Sequence, residues 1–175
     1  AGQEWFYQPV RGWITALGKS GTGLSLNMVY QRLMCFYMWP GKQPTLEWAF
    51  RTAEIKNGES LSTEQLMVPF SGLNAVHGSG AGIVAGIDGP ETPSLERASA
   101  GLAFIAKIAA GTAHDGRLEL SVTQLPDGTP QPIATQDLKL RPGACESVPF
   151  PLALKAPGTY LLTGRISANC KELMD

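Results

Sequence analysis

Between residues 95 and 175, apolar and polar residues alternate in short runs, and each run ends at a turn built from proline or glycine. Alternation with period two buries one face of a strand and wets the other, so it commits this stretch to antiparallel β structure. Arg117 to Gln124 sets Leu118, Leu120 and Val122 on one face. Pro126-Asp127-Gly128 then turns into Ile133 to Leu140, and Arg141-Pro142-Gly143 into Ser147 to Leu154. Pro157-Gly158 leads into Thr159 to Ile166. The runs recur about every 12 to 15 residues, the spacing of a sandwich with long hairpins.

The segment Pro157-Gly158-Thr159-Tyr160 resembles the corner before the penultimate strand of immunoglobulin-like domains. In that corner a tyrosine hydroxyl ties the turn to nearby backbone. The resemblance implies an immunoglobulin-like β-sandwich over 95–175, with Tyr160 largely buried and its hydroxyl bonded to backbone. Upstream, Gly101 to Ala110 fits two elements. Pro93-Ser94-Leu95-Glu96 has the form of a helix start, with Leu95, Ala98, Leu102, Ile105 and Ala109 at helical spacing. Leu102, Phe104, Ala106 and Ile108 also alternate, and the strand is favoured because everything after it is β.

Residues 1–75 read as a second, aromatic-rich β unit. Leu24 to Met28 alternates, and Leu33 to Trp39 is an apolar run ending at Pro40-Gly41. Met28 to Met38 also fits a helix, since it lacks strict alternation. Thr45 to Ile55 is a long strand candidate with Leu46, Trp48 and Phe50 on one face. Asn57-Gly58 tolerates positive φ at both turn centres, so it is expected to tip a hairpin returning through Leu61 to Phe70. Residues 76–94, including His77-Gly78-Ser79-Gly80-Ala81-Gly82, read as a Gly-rich loop or linker.

Composition supports this mainly β reading. Charged residues make up 17% and hydrophobic ones 43%, with Gly 20 and Pro 13, a mix that suits turns better than a helical bundle. The net charge is −1 and neither half is basic, which argues against a nucleic-acid partner. No run of eighteen apolar residues occurs, so no transmembrane helix is expected. The opening Ala1-Gly2-Gln3 lacks Met, as after signal cleavage or at an expression scar.

Three cysteines are present. Cys145 and Cys170 flank the last strands and are expected to form a disulfide, closing a loop of about 25 residues worth roughly 3 kcal/mol. Cys35 lies in the apolar run and is expected to be a buried free thiol. The bridge carries with it a periplasmic or secreted location.

Motifs for chemistry are weak. Gly18-Lys19-Ser20 resembles the end of a phosphate loop, but Trp13 stands where its first glycine belongs. Gly80-Ala81-Gly82-Ile83-Val84-Ala85 approaches a dinucleotide fingerprint, yet Gly86 to Pro90 leaves no room for the helix it needs. His77 and His114 are the only histidines, and neither sits in a nucleophile motif. No His or Cys pair has metal-ligand spacing, so neither metal nor cofactor is expected. The remaining signal is aromatic. Trp5, Phe6, Tyr7, Trp13, Tyr37, Trp39 and Trp48 crowd the first half. Most such rings fill a core, but Trp5, Phe6, Tyr7 and Trp13 stand near a chain end, where exposure is expected. The sequence therefore reads as a non-enzymatic exported module that binds another protein in a cell-envelope assembly. A carbohydrate-binding module that holds a glycan on the N-terminal aromatics is the alternative, and a hydrolase with an unrecognised site a third.

Overall fold

A computed structural model describes residues 4–43, 45–168 and 171–174. The chain is mainly β, with every pairing between its strands antiparallel where the register is defined. Contacts divide it into two compact units, Ala1–Ile14 with Leu26–Met67, and Thr15–Ser25 with Val68–Asp175. Residues 15–25 and 68–75, expected with an N-terminal unit 1–75, thus lie in the larger one. Contacts between residues far apart in sequence decide membership here, and they override adjacency in sequence.

In chain order the strands are β1 (Glu4–Tyr7), β2 (Trp13–Leu17), β3 (Gly23–Met28), β4 (Leu33–Trp39), β5 (Thr45–Phe50), β6 (Gln65–Phe70), β7 (Gly78–Gly80) and β8 (Ile83–Asp88). A short helix α1 (Leu95–Ala100) follows. Then come β9 (Leu102–Ala110), β10 (His114–Gln124), β11 (Gln131–Leu140), β12 (Cys145–Leu152), β13 (Tyr160–Ala168) and β14 (Lys171–Met174).

The larger unit holds two four-stranded sheets, ordered β12-β9-β8-β7 and β11-β10-β13-β14. The chain changes sheet between β9 and β10, between β11 and β12, and between β12 and β13. Alternation explains why the sheets pack. Leu118 and Leu120 of β10, Leu138 and Leu140 of β11 and Ile166 of β13 meet Ile83, Ala106, Ile108, Ala110 and Phe150 in one buried cluster. The Phe104 and Phe150 rings stack at 5.6 Å, from opposite positions on β9 and β12. Fully burying one Leu, Ile or Phe contributes about 1.5–3 kcal/mol, so this cluster dominates the unit's stability.

The helix start at Ser94 is real but yields only the short α1, and Leu102 to Ala110 is strand. Ser94 caps α1, its hydroxyl accepting from the Arg97 N–H at 3.4 Å, and the helix stops at Gly101. The alternating residues then run on as β9, as favoured from the sequence. The Leu33–Trp39 run is likewise a strand, preceded by a single 3-10 turn at Tyr30–Arg32. At the tyrosine corner, the Tyr160 hydroxyl donates to the Ala156 carbonyl at 2.8 Å. The ring is half-buried where deep burial was expected, because Tyr160 begins β13 opposite Gln124, at the strand's end.

Three expectations need correction. The Gly-rich stretch 76–94 contains β7 and β8, which pair through a tight turn at Ala81 and Gly82. Gly82 takes φ +81, which glycine adopts freely, and Ile83 and Val84 of β8 are fully buried. Thr45 to Ile55 is strand only to Phe50. Asn57-Gly58 does turn the chain, with the Glu59 N–H donating to the Lys56 carbonyl at 3.0 Å, but it tips no hairpin. β5 pairs with β4, while β6 lies in the β2-β3-β6 sheet. Residues 51–64 are exposed throughout and have no apolar face to bury, so turn chemistry alone does not extend a ladder.

Cys35 is a buried free thiol, as expected. Cys145 also carries a free thiol. Its expected partner, Cys170, lies outside the described residues.

Candidate functional site

The smaller unit contains the sheet β1-β4-β5. Its register sorts every side chain to a face. Phe36 opposes Trp48 and Met38 opposes Leu46. On this inner face, Leu33, Phe36, Leu46, Trp48 and Phe50 pack with Leu26 and Met28 of β3 and Ile14 of β2. The other face carries Trp5 and Tyr7 of β1, Tyr37 and Trp39 of β4, and Glu47 of β5.

On that second face Cys35 is buried and Tyr37 half-buried, while the outer rings stand partly in water. Trp5 is 50% exposed, Tyr7 64% and Trp39 43%. Trp5 stands directly opposite Tyr37, which stands directly opposite Glu47, so the three form one row across the sheet. The rings of Trp5 and Tyr37 meet at 4.5 Å, tilted by 45°. Trp5 and Tyr7 lie 5.9 Å apart with planes only 10° from parallel. Trp39 rests against the backbone of Gly41, where a Cβ would come within 2.8 Å of the indole. The rings are thus held in place by one another and by the turn, and they remain wet on top. Along its outer edge β1 has no strand partner among the described residues.

Of the residues singled out from the sequence, Trp5 and Tyr7 come together here. Phe6 points to the opposite face of β1, opposite Phe36, and is 44% exposed. Trp13 is half-buried on β2, in another sheet, and does not join the row. Sequence reasoning missed Glu47. The signal was available only jointly, since the alternation Cys35-Tyr37-Trp39 places the rings on one face but says nothing of what β5 sets beside them.

The outer face of β11-β10-β13-β14 offers a contrast. An open groove of about 540 Å³ is lined there by Glu119, Ser121, Pro132, Thr135, Thr163 and Arg165, among others. Arg117 approaches Glu119 at 4.0 Å, and Arg141 pairs with Asp115 at 3.1 Å.

The weaker motifs resolve into structure. Gly18-Lys19-Ser20 is the exposed turn between β2 and β3, closed by the Gly21 N–H on the Gly18 carbonyl at 3.0 Å. Gly80-Ala81-Gly82 is the β7–β8 turn, with no helix after it. His77 accepts the Ile87 N–H at Nδ1, 3.1 Å away. The nearby Asp88 carboxylate is held by Lys107 at 2.9 Å and Asn74 at 2.7 Å. Ser79 is buried in a hydroxyl chain, in which Thr15 donates to Ser25, Ser25 to Ser79 and Ser79 to the Ile83 carbonyl. Each hydroxyl has a partner, so the chain satisfies buried polar groups between strands. Among the described residues no group of three His, Cys, Asp or Glu side chains is placed to hold a metal ion, and no helix is long and apolar enough to cross a membrane.

Cys145 sits at the start of β12 with Gly72 against its side chain. Burial pushes its thiol above the ordinary value, and the Lys107 ammonium opposes that shift.

Comparison with family models, with curated proteins and with solved structures finds no match.

Proposed function

We propose that this chain is a non-enzymatic, exported protein-binding module of a cell-envelope assembly, and that its partner docks on the aromatic face of β1-β4-β5. One observation carries the reading. Trp5, Tyr7, Tyr37 and Trp39 share a face whose reverse side is already packed, so they are not needed for that core. Leaving large rings in water forgoes burial free energy, and rigid aromatic anchors are what protein interfaces draw on. On the same reading the larger unit is an immunoglobulin-like sandwich. The strand order, the changes of sheet and the Tyr160 corner support this. Sandwiches serve many purposes, so the docking face, and not the scaffold, supports the function.

A photo-crosslinking amino acid placed at Tyr7 tests the reading in the native envelope fraction, against the same group at Leu161. Leu161 is 51% exposed on β13, which belongs to the charged sheet. A discrete protein adduct from position 7 and none from position 161 is expected. Equal, diffuse labelling from both overturns the proposal.

The nearly parallel Trp5 and Tyr7 rings favour a second reading, a carbohydrate-binding surface on which sugar faces stack. Quenching of tryptophan fluorescence by a β-linked glucose oligomer, lost in Trp5→Ala, would support it.

A further inference from the structure

The aromatic face also carries a charge. Glu47 is exposed at the end of the row Trp5–Tyr37–Glu47 and forms no ion pair among the described residues. The described strand positions on this face are Trp5, Tyr7, Cys35, Tyr37, Trp39, Thr45, Glu47 and Ala49, and none is a lysine or arginine. Aromatic faces present negative charge density, and a cation within about 6 Å of a ring centre is attracted to them. Neighbouring strands lie about 4.8 Å apart, so Tyr37 stands one strand from Glu47 and one from Trp5. Ring faces and carboxylate therefore present one continuous electronegative surface.

We infer that the partner presents an arginine or lysine side chain to this row, its aliphatic stem over Trp5 and Tyr37 and its cation against the Glu47 carboxylate. The inference rests on the docking face proposed above and specifies the chemistry of its occupant. Charge complementarity is the ground for it. An uncharged apolar partner would bury Glu47 unpaired, which costs free energy, whereas a cation satisfies both the carboxylate and the rings.

The test uses the full chain with two capped peptides, acetyl-Ser-Thr-Arg-Thr-Ser-amide and its twin with citrulline in place of arginine. Citrulline keeps the shape and removes the charge. The Trp5 indole N–H resonance reports binding. The arginine peptide is expected to shift it saturably, with the citrulline twin about tenfold weaker. Glu47→Gln is expected to weaken the arginine peptide about threefold, and added salt to weaken it further. Equal shifts of the Trp5 resonance by both peptides overturn the cation claim and leave the docking face standing. No shift from either peptide overturns the cation claim too. If a β-linked glucose oligomer then shifts the resonance with Glu47→Gln unchanged, the protein-binding reading falls with it.

Discussion

Two outward sheet faces of this chain handle exposure in opposite ways. On β11-β10-β13-β14 the outer residues, Leu161 apart, are largely charged or hydroxylated, with opposite charges paired as in Asp115 with Arg141. Water and cross-strand pairs satisfy that face without a partner. On β1-β4-β5 the outer residues are four aromatic rings and one carboxylate, beside Cys35, Thr45 and Ala49. The inner faces of the two sheets are built alike, by alternation over an apolar cluster. The difference lies largely at exposed positions, and such positions carry the information about partners.

The largest effect that would break the comparison is a stability loss on the wrong face. Leu120→Ala removes a fully buried side chain from the sandwich core and is expected to cost about 2–5 kcal/mol in chemical denaturation. Trp5→Ala is expected to stay within about 1 kcal/mol of the parent while losing partner binding. If Trp5→Ala destabilises as much as Leu120→Ala, the aromatic face is structural and the contrast disappears.

A smaller effect sharpens the account of the larger unit. Tyr160→Phe deletes the hydroxyl that donates to Ala156 and is expected to cost about 1 kcal/mol, with binding on the aromatic face unchanged. An unchanged denaturant midpoint together with a lost partner would make Tyr160 a surface contact instead of a corner.

The smallest effect concerns Cys145. Burial disfavours its thiolate, so the folded thiol holds its proton to higher pH than the unfolded one. The resulting contribution to stability is fully present below the unfolded pKa and is lost as pH rises through the folded one. Alkylation by iodoacetamide near about pH 8 is accordingly expected to run slower than for the same cysteine in denaturant. Lys107→Met should slow it further, because the ammonium favours the thiolate. Faster alkylation in the folded chain would contradict the burial seen at this position.

How much was legible depended on how local each signal was. The strands β10 to β13 were readable because alternation and turn residues agree over every ten or so residues. The helix start at Ser94 was readable for the same reason, since a cap is a contact three residues long. Asn57-Gly58 misled because turn chemistry specifies a reversal but not a partner, and the strands around it had better partners elsewhere. The Gly-rich stretch misled because glycine reads as punctuation. In β7 and β8 it instead allows a tight turn and a close backbone approach, with Gly86 packed against the Ala75 carbonyl.

By itself the sequence determined the mainly β class, the run of strands in the second half, the Tyr160 corner and the excess of aromatics near the chain's start. These follow from periodicity and turn chemistry, which act over a few residues. Only the tertiary structure decided that Phe6 and Trp48 turn away from Trp5 while Tyr37, Trp39 and Glu47 turn toward it. A face is a property of register between strands far apart in the chain, and a one-residue slip would invert it.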